Sequence, residues 1–285
     1  MHIIIGGTGQ VGSAAAAALL EAGESVTIVT RDSDKATAWR QRGAEAAVLD
    51  IHDAPALQAV LRHGRRLLIV NPTADPTAND TDAAELQSIR AILAAVDGAG
   101  LERIVAASTY GAQPGSSIGD LGTLYALEQG LARLPAPSVI QRGAYYMSNW
   151  AMAVEPAREQ GILPSFFPAG FSLPMVAPAD VGRSAAELML SSHPESLRYV
   201  EGPDRYSPAD VAEAFSRVLQ HPVAVASVEA DTLESTFLSF GFSPAAARSY
   251  SGMTRRAMET PPPDESSVWK GTVSLDVFVA ALLQR

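Results

Sequence analysis

The chain of 285 residues contains no cysteine. Disulfides, thiolate metal sites and cysteine nucleophiles are therefore excluded together. The lack suits a reducing compartment, and a cytoplasmic location is expected. No run of about 18 or more consecutive apolar residues occurs, so no membrane partner is expected. The N-terminal MHIII passes straight into glycines, without the basic region and cleavage site of a secretory signal. Positive charge is scarce as well: 21 Lys and Arg stand against 31 Asp and Glu, a net charge of −10. Such a surface repels nucleic acid unless its bases cluster. The densest basic stretch, Arg62 to Arg66, is read as a helix C-terminus, where cations suit the dipole. The five histidines, at 2, 52, 63, 193 and 221, show no metal-ligand spacing. No Gly-x-Ser-x-Gly elbow supports serine hydrolysis. What remains is a chain that is 47% hydrophobic and 18% charged, enough to bury the core of one large domain or two closely joined ones.

Through the first 150 residues, short apolar runs alternate with helical patterns. Strands are predicted at His2–Ile5, Ser25–Thr30, Ala46–Leu49, Leu67–Val70, Arg103–Ala107 and Ser138–Gln141. Helices are predicted at Ser13–Ala22, 33–42, Pro55–Leu61, 82–98 and 121–133. Continuous apolar strands separated by helices imply a parallel sheet covered on both faces, and right-handed crossovers make it a doubly wound Rossmann fold. Beyond residue 150 proline and glycine become frequent. Helices are predicted at 179–191, 208–219 and Leu275–Leu283, strands at Leu197–Val200 and Val223–Val228, and a loop at 261–267. The division expected is a nucleotide-binding domain over 1–150 and a smaller α/β lobe over 151–285. That lobe would send segments back to the sheet and close the substrate pocket.

The strongest motif is Gly6-Gly7-Thr8-Gly9-Gln10-Val11-Gly12. Glycines at this spacing allow a tight strand-to-helix turn, close approach of backbone to a pyrophosphate, and close packing of helix on strand. The helix N-terminus then offers N–H groups and the positive end of its dipole to phosphates. The end of the second strand carries Arg31 and, further on, Lys35, where NAD-preferring sites place an acid. A guanidinium there suits a 2′-phosphate, so NADP(H) is expected over NAD(H); a solvated surface arginine is the plainer reading. Asp50 and Ile51 end the third strand, where adenine would lie. Asn71 and Pro72 end the fourth, beside the path of ribose and nicotinamide. All four positions equally suit strand-end punctuation.

The fifth strand ends in Ser108-Thr109-Tyr110, and Tyr125 follows on the next helix. Tyr145, Tyr146, Asn149 and Trp150 come after the sixth strand and form either an aromatic wall for a flat substrate or the core of the smaller lobe. Taken together, GGTGQVG, Arg31, QRGAYYMSNW (141–150) and VAPADVGRSAAELML (176–190) resemble the NmrA-like family of atypical short-chain dehydrogenases/reductases. The resemblance implies an NADP(H)-dependent oxidoreductase, a quinone reductase or an enzyme acting on carbonyl-bearing small molecules. The alternative it implies is a redox sensor that binds nucleotide without turnover. Short-chain dehydrogenases use a serine with a Tyr-x-x-x-Lys pair, in which lysine lowers the tyrosine pKa. Ser108 and Tyr125 occupy that pattern here, but Gln129 stands in place of the lysine. Leu124 stands where reductases of the family often carry Lys or His. Ser108, Tyr110 and Tyr125 are thus the candidate catalytic residues, with the proton donor undefined. An epimerase using bound NAD would need the missing lysine.

Overall fold

The computed structural model describes residues 1–193 and 195–284. The N-terminal half runs β1 (His2–Ile5), α1 (Gln10–Glu21), β2 (Val26–Thr30), α2 (Ser33–Gln41), β3 (Glu45–Val48), α3 (Ala54–Leu61), β4 (Arg66–Ile69), α4 (Thr81–Val96), β5 (Arg103–Thr109), α5 (Asp120–Leu131) and β6 (Ser138–Gly143). The chain continues through β7 (Tyr145–Tyr146), a 3-10 turn (Met147–Ala153), α6 (Val154–Gln160), β8 (Ile162–Ser165), β9 (Leu173–Val176), α7 (Pro178–Leu190), β10 (Leu197–Glu201), β11 (Arg205–Tyr206), α8 (Pro208–Leu219) and β12 (Ala224–Ser227). It ends with α9 (Leu233–Ser239), α10 (Pro244–Glu259), β13 (Val268–Lys270) and α11 (Leu275–Leu283).

Eight strands form one sheet in the order β3-β2-β1-β4-β5-β6-β10-β13, and each neighbouring pair is parallel. This is the doubly wound α/β Rossmann architecture, extended at one edge by two strands from the second half. Strand order reverses between β1 and β4, where a crevice opens above the strand C-termini. One apolar layer, with Ile3, Ile5, Leu67 and Ile69, packs against α3 and α4; the other, with Ile4, Ile28, Leu68 and Val105, packs against α1 and α7. Side chains alternate in this way because successive strand residues point to opposite faces.

Local chemistry sets the helix starts around the crevice. Asp32 caps α2 by accepting from Asp34 N and Lys35 N, Asp53 caps α3, and Asp80 caps α4. A Cβ on Gly182 of α7 would stand 2.6 Å from Ala14 Cβ and 2.8 Å from Ala15 N, so only glycine lets α7 lie this closely on α1. Asp180, fully buried, accepts from Val273 N at 3.0 Å and ties α7 to the C-terminal segment.

Several sequence expectations need correction. The Arg62–Arg66 stretch is split: Arg62 caps α3, Arg65 pairs with Glu102, and Arg66 opens β4 and donates to the Met189 carbonyl. The 16-residue helix α10 was unforeseen. Its buried face is Ala246, Ala247, Ser249, Ser251 and Thr254, so apolar periodicity is nearly absent, although Ser243-Pro244 is a capping signature. Strands β8 and β9 each contain a proline, which demotes a strand reading in a sequence.

Candidate functional site

Above the β1/β4 crevice lies an open cleft of about 960 Å³, at the upper end of the usual range for small-molecule sites. Its floor is the glycine turn. Gly6 adopts φ +75°, and a Cβ there would stand 2.6 Å from the Val70 carbonyl oxygen. A Cβ on Gly12 would run into the Gly6 carbonyl, and one on Gly7 would stand 2.8 Å from the Ile28 side chain. Gly9 differs: its Cβ would meet only the Gly6 carbonyl oxygen, at an ordinary 3.5 Å, and the residue is exposed on the cleft wall. Three glycines therefore hold the turn together, while the fourth leaves its outer surface bare. The α1 N-terminus behind it has no side-chain cap and no acid in its first turn, so its leading N–H groups remain free for an anion.

At one end of the cleft stand Arg31 and Lys35. Arg31 is exposed and has no hydrogen bond or ion pair among the described residues. The Lys35 ammonium is 3.9 Å from Asp32. Asp32 is turned onto the α2 N-terminus, and those backbone N–H bonds hold its carboxyl below the usual range. Ile51 is buried and lines the cleft beside His52. Asp50 is not part of the wall. It accepts from His52 N and contacts Nδ1 of the same ring, each at 3.0 Å, while the ring Nε2 meets Ser88 Oγ at 3.2 Å.

Further along, Asn71 and Pro72 line the cleft with Val70, Thr73 and Ala74. The Asn71 Oδ1 is buried without a partner among the described residues. Tyr146, Ser148 and Pro178 face this wall from the other side of the crevice. Burial and the nearby Asp120 raise the Tyr146 phenol above its ordinary range. Glu85 of α4 also lines the cleft, although it is only 5% exposed. Its Oε1 accepts from Ala74 N at 3.2 Å and its Oε2 from the Thr123 hydroxyl at 2.9 Å.

The residues proposed as catalytic from sequence lie elsewhere. The Ser108 hydroxyl donates to Glu128 Oε1 at 2.6 Å, and Arg142 grips the same carboxylate through Nε at 2.9 Å and a terminal nitrogen at 2.7 Å. The Tyr110 hydroxyl donates to the buried Glu201, which Arg205 and Lys270 also hold; burial and Glu201 raise the phenol above its ordinary range. Tyr125 is two residues from Thr123, about 200° around the helix, and so looks away from the face on which Thr123 meets Glu85. It is half-buried on the flank of α5 between the buried Glu128 and the exposed Gln129. None of the three lines the cleft. Of the aromatic segment only Tyr146 does. Tyr145 packs edge-on to Trp150 and Phe167, and burial pushes its phenol up to about 12. Trp150 is in a second apolar cluster built from residues beyond the sixth strand, with Nε1 donating to Met175 Sδ at 3.4 Å, and Asn149 is exposed.

Glu85, Ser88 and His52 were missed in the sequence. A signal for two of them existed: Thr81, Glu85 and Ser88 repeat at i, i+4, i+7, a buried phase of α4 carrying polar residues where apolar ones are expected.

With this geometry in place, the relatives are informative. The sequence pattern of the NmrA-like family matches residues 2–253. The chain belongs to the NmrA-like family. It is 24% identical over 243 residues to the NAD(P)H azoreductase of Xenophilus azovorans, covering 85% of this chain and 82% of that one. Among solved structures, the Escherichia coli NADPH-dependent quinone oxidoreductase QOR2 complexed with NADPH superposes with a TM-score of 0.84, at 20% identity over 99% of each chain. The Citrobacter sp. triphenylmethane reductase complexed with NADP(H) gives 0.81, at 16% identity over 99% of each chain. At such identities the structural likeness speaks for the fold. No helix among the described residues is long and apolar enough to cross a membrane.

Proposed function

We propose that the protein is an NADP(H)-dependent oxidoreductase that reduces a flat quinone-, azo- or carbonyl-bearing small molecule. The observation that carries this reading is the combination of an uncapped α1 N-terminus, a glycine turn open only at Gly9, and the cationic pair Arg31 and Lys35 along one cleft. A dinucleotide phosphate fits these features in kind. Backbone N–H groups meet the pyrophosphate, Arg31 and Lys35 meet the 2′-phosphate, Ile51 and His52 border the adenine, and the orphaned Asn71 oxygen accepts a donor from the nicotinamide half. When bound, the cofactor supplies a hydride to an acceptor held beside it. Residues 1–150 act as the nucleotide-binding unit, and the lobe from 151–285 closes the acceptor side through Pro178 and its neighbours. The family relatives that reduce azo compounds, quinones and triphenylmethane dyes fix the acceptor classes worth assaying.

The test is NADPH consumption with quinone, azo and cationic triarylmethane acceptors, alongside calorimetric titration of NADPH and NADH. Turnover with NADPH binding tighter than NADH is the expected result. Tight NADPH binding with no turnover on any acceptor would replace the enzyme with a nucleotide sensor, and no nucleotide binding would overturn both.

A further inference from the structure

We infer that Glu85, sharing one proton with Asp120, is the acid that protonates the reduced substrate. This rests on the proposed reductase activity. The side chain of Asp120, the first residue of α5, lies beside that of Glu85, brought there by the packing of α5 against α4. Two neighbouring carboxylates in a buried site repel strongly when both are ionised, so at rest the pair holds one proton and a doubly ionised pair is short-lived. The surroundings do not relieve this. Asp82 of α4, Tyr146 after β6 and Tyr250 of α10 are the titratable neighbours. No lysine, arginine or histidine among the described residues reaches hydrogen-bond or ion-pair distance of either carboxyl. Asp82 is already committed to the Ser249 hydroxyl at 2.5 Å. Burial, first, and then the Asp120 charge raise the Glu85 carboxyl from its ordinary value to about 7.

Position turns this retained proton into a function. Glu85 alone of the pair reaches the cleft wall, in the same cleft as the partnerless Asn71 oxygen and the Tyr146 ring. Ala74 N–H and the Thr123 hydroxyl fix its carboxyl from two sides. In the proposed reaction the electron pair arrives with a hydride from the reduced nicotinamide dinucleotide. The carboxyl O–H bond then breaks as an O–H bond forms on a quinone or carbonyl oxygen, or an N–H bond on an azo nitrogen. The pair is left doubly ionised, and solvent returns its proton. The role that Tyr125 and a lysine would have filled passes to two acids on different helices.

A cationic triarylmethane dye separates proton delivery from hydride transfer, since hydride alone discharges its central carbon. Glu85→Gln should therefore lower the ratio of quinone to dye turnover by about a hundredfold or more, the scale of general acid catalysis. In the cofactor-free protein at neutral pH, infrared spectra should contain a protonated-carboxyl band that shifts or weakens in Glu85→Gln and weakens in Asp120→Asn. Asp120→Asn, which keeps Glu85 but not its shared proton, should also move the pH dependence of quinone turnover to lower pH. An unchanged quinone-to-dye ratio in Glu85→Gln, or no such band in the wild type, would overturn the inference. Failure of the wild type on dye and quinone alike would instead overturn the reductase reading beneath it.

Discussion

Gly9 offers the cleanest separation of binding from folding. It has φ −85° and ψ 176°, extended backbone open to any residue, and its Cβ would touch the protein only at the 3.5 Å contact with Gly6. Gly9→Val should therefore leave apo stability within about 1 kcal/mol of wild type, since the loss of chain entropy in the unfolded state roughly offsets any local crowding. Gly12→Ala should behave oppositely. Its methyl would collide with the Gly6 carbonyl and lie 2.8 Å from Gly7 Cα, an overpacking that costs about 1–3 kcal/mol or more. For the nucleotide, the Gly9→Val side chain fills the bare surface where a pyrophosphate would meet the α1 N–H groups. Loss of one charged hydrogen bond costs about 1.5–3 kcal/mol, which is roughly a ten- to hundredfold rise in Kd. Thermal unfolding of the apo protein and calorimetric titration with NADPH measure the two effects separately. Undiminished NADPH affinity in a well-folded Gly9→Val protein would refute the placement of the phosphates, and with it the functional reading.

Arg31→Ala should weaken NADPH by about 1.5–3 kcal/mol and leave NADH nearly unchanged in the same titration; equal loss for both would mean that Arg31 serves something other than the 2′-phosphate. Tyr125→Phe should change quinone turnover by less than tenfold, well below the 10²–10⁴ of a lost general acid, because Tyr125 does not line the cleft. The Glu85 carboxyl makes stability pH-dependent. Folded protein keeps a proton up to about pH 7 that an ordinary glutamic acid loses near 4.5, so wild-type stability falls as pH rises through that window and levels off above it. Denaturant unfolding should show Glu85→Gln gaining about 3 kcal/mol on wild type between acidic and mildly alkaline pH; a flat difference would mean the carboxyl titrates normally.

The sequence by itself determined the sheet's first six strands, the glycine turn and the cationic strand end, because each is a local pattern: apolar runs of strand length, glycines at fixed spacing, an arginine one residue past a strand. Its boundaries there are off by a residue or three, as at β5, which runs to Thr109 rather than stopping at Ala107. Tertiary structure alone decided which side chains reach the cleft. Ser108 and Tyr110 sit at a strand end that topology marks as catalytic, yet Glu128 with Arg142, and Glu201 with Arg205, claim their hydroxyls from 20 and 91 residues away. Tyr125 misses by helical phase, which a motif match does not encode. Glu85 and Asp120 are 35 positions apart and unremarkable singly. Their shared proton exists only because α4 and α5 pack side by side and bring the two carboxyls together with no cation among the described residues beside them, a condition of distance and burial that no stretch of sequence carries.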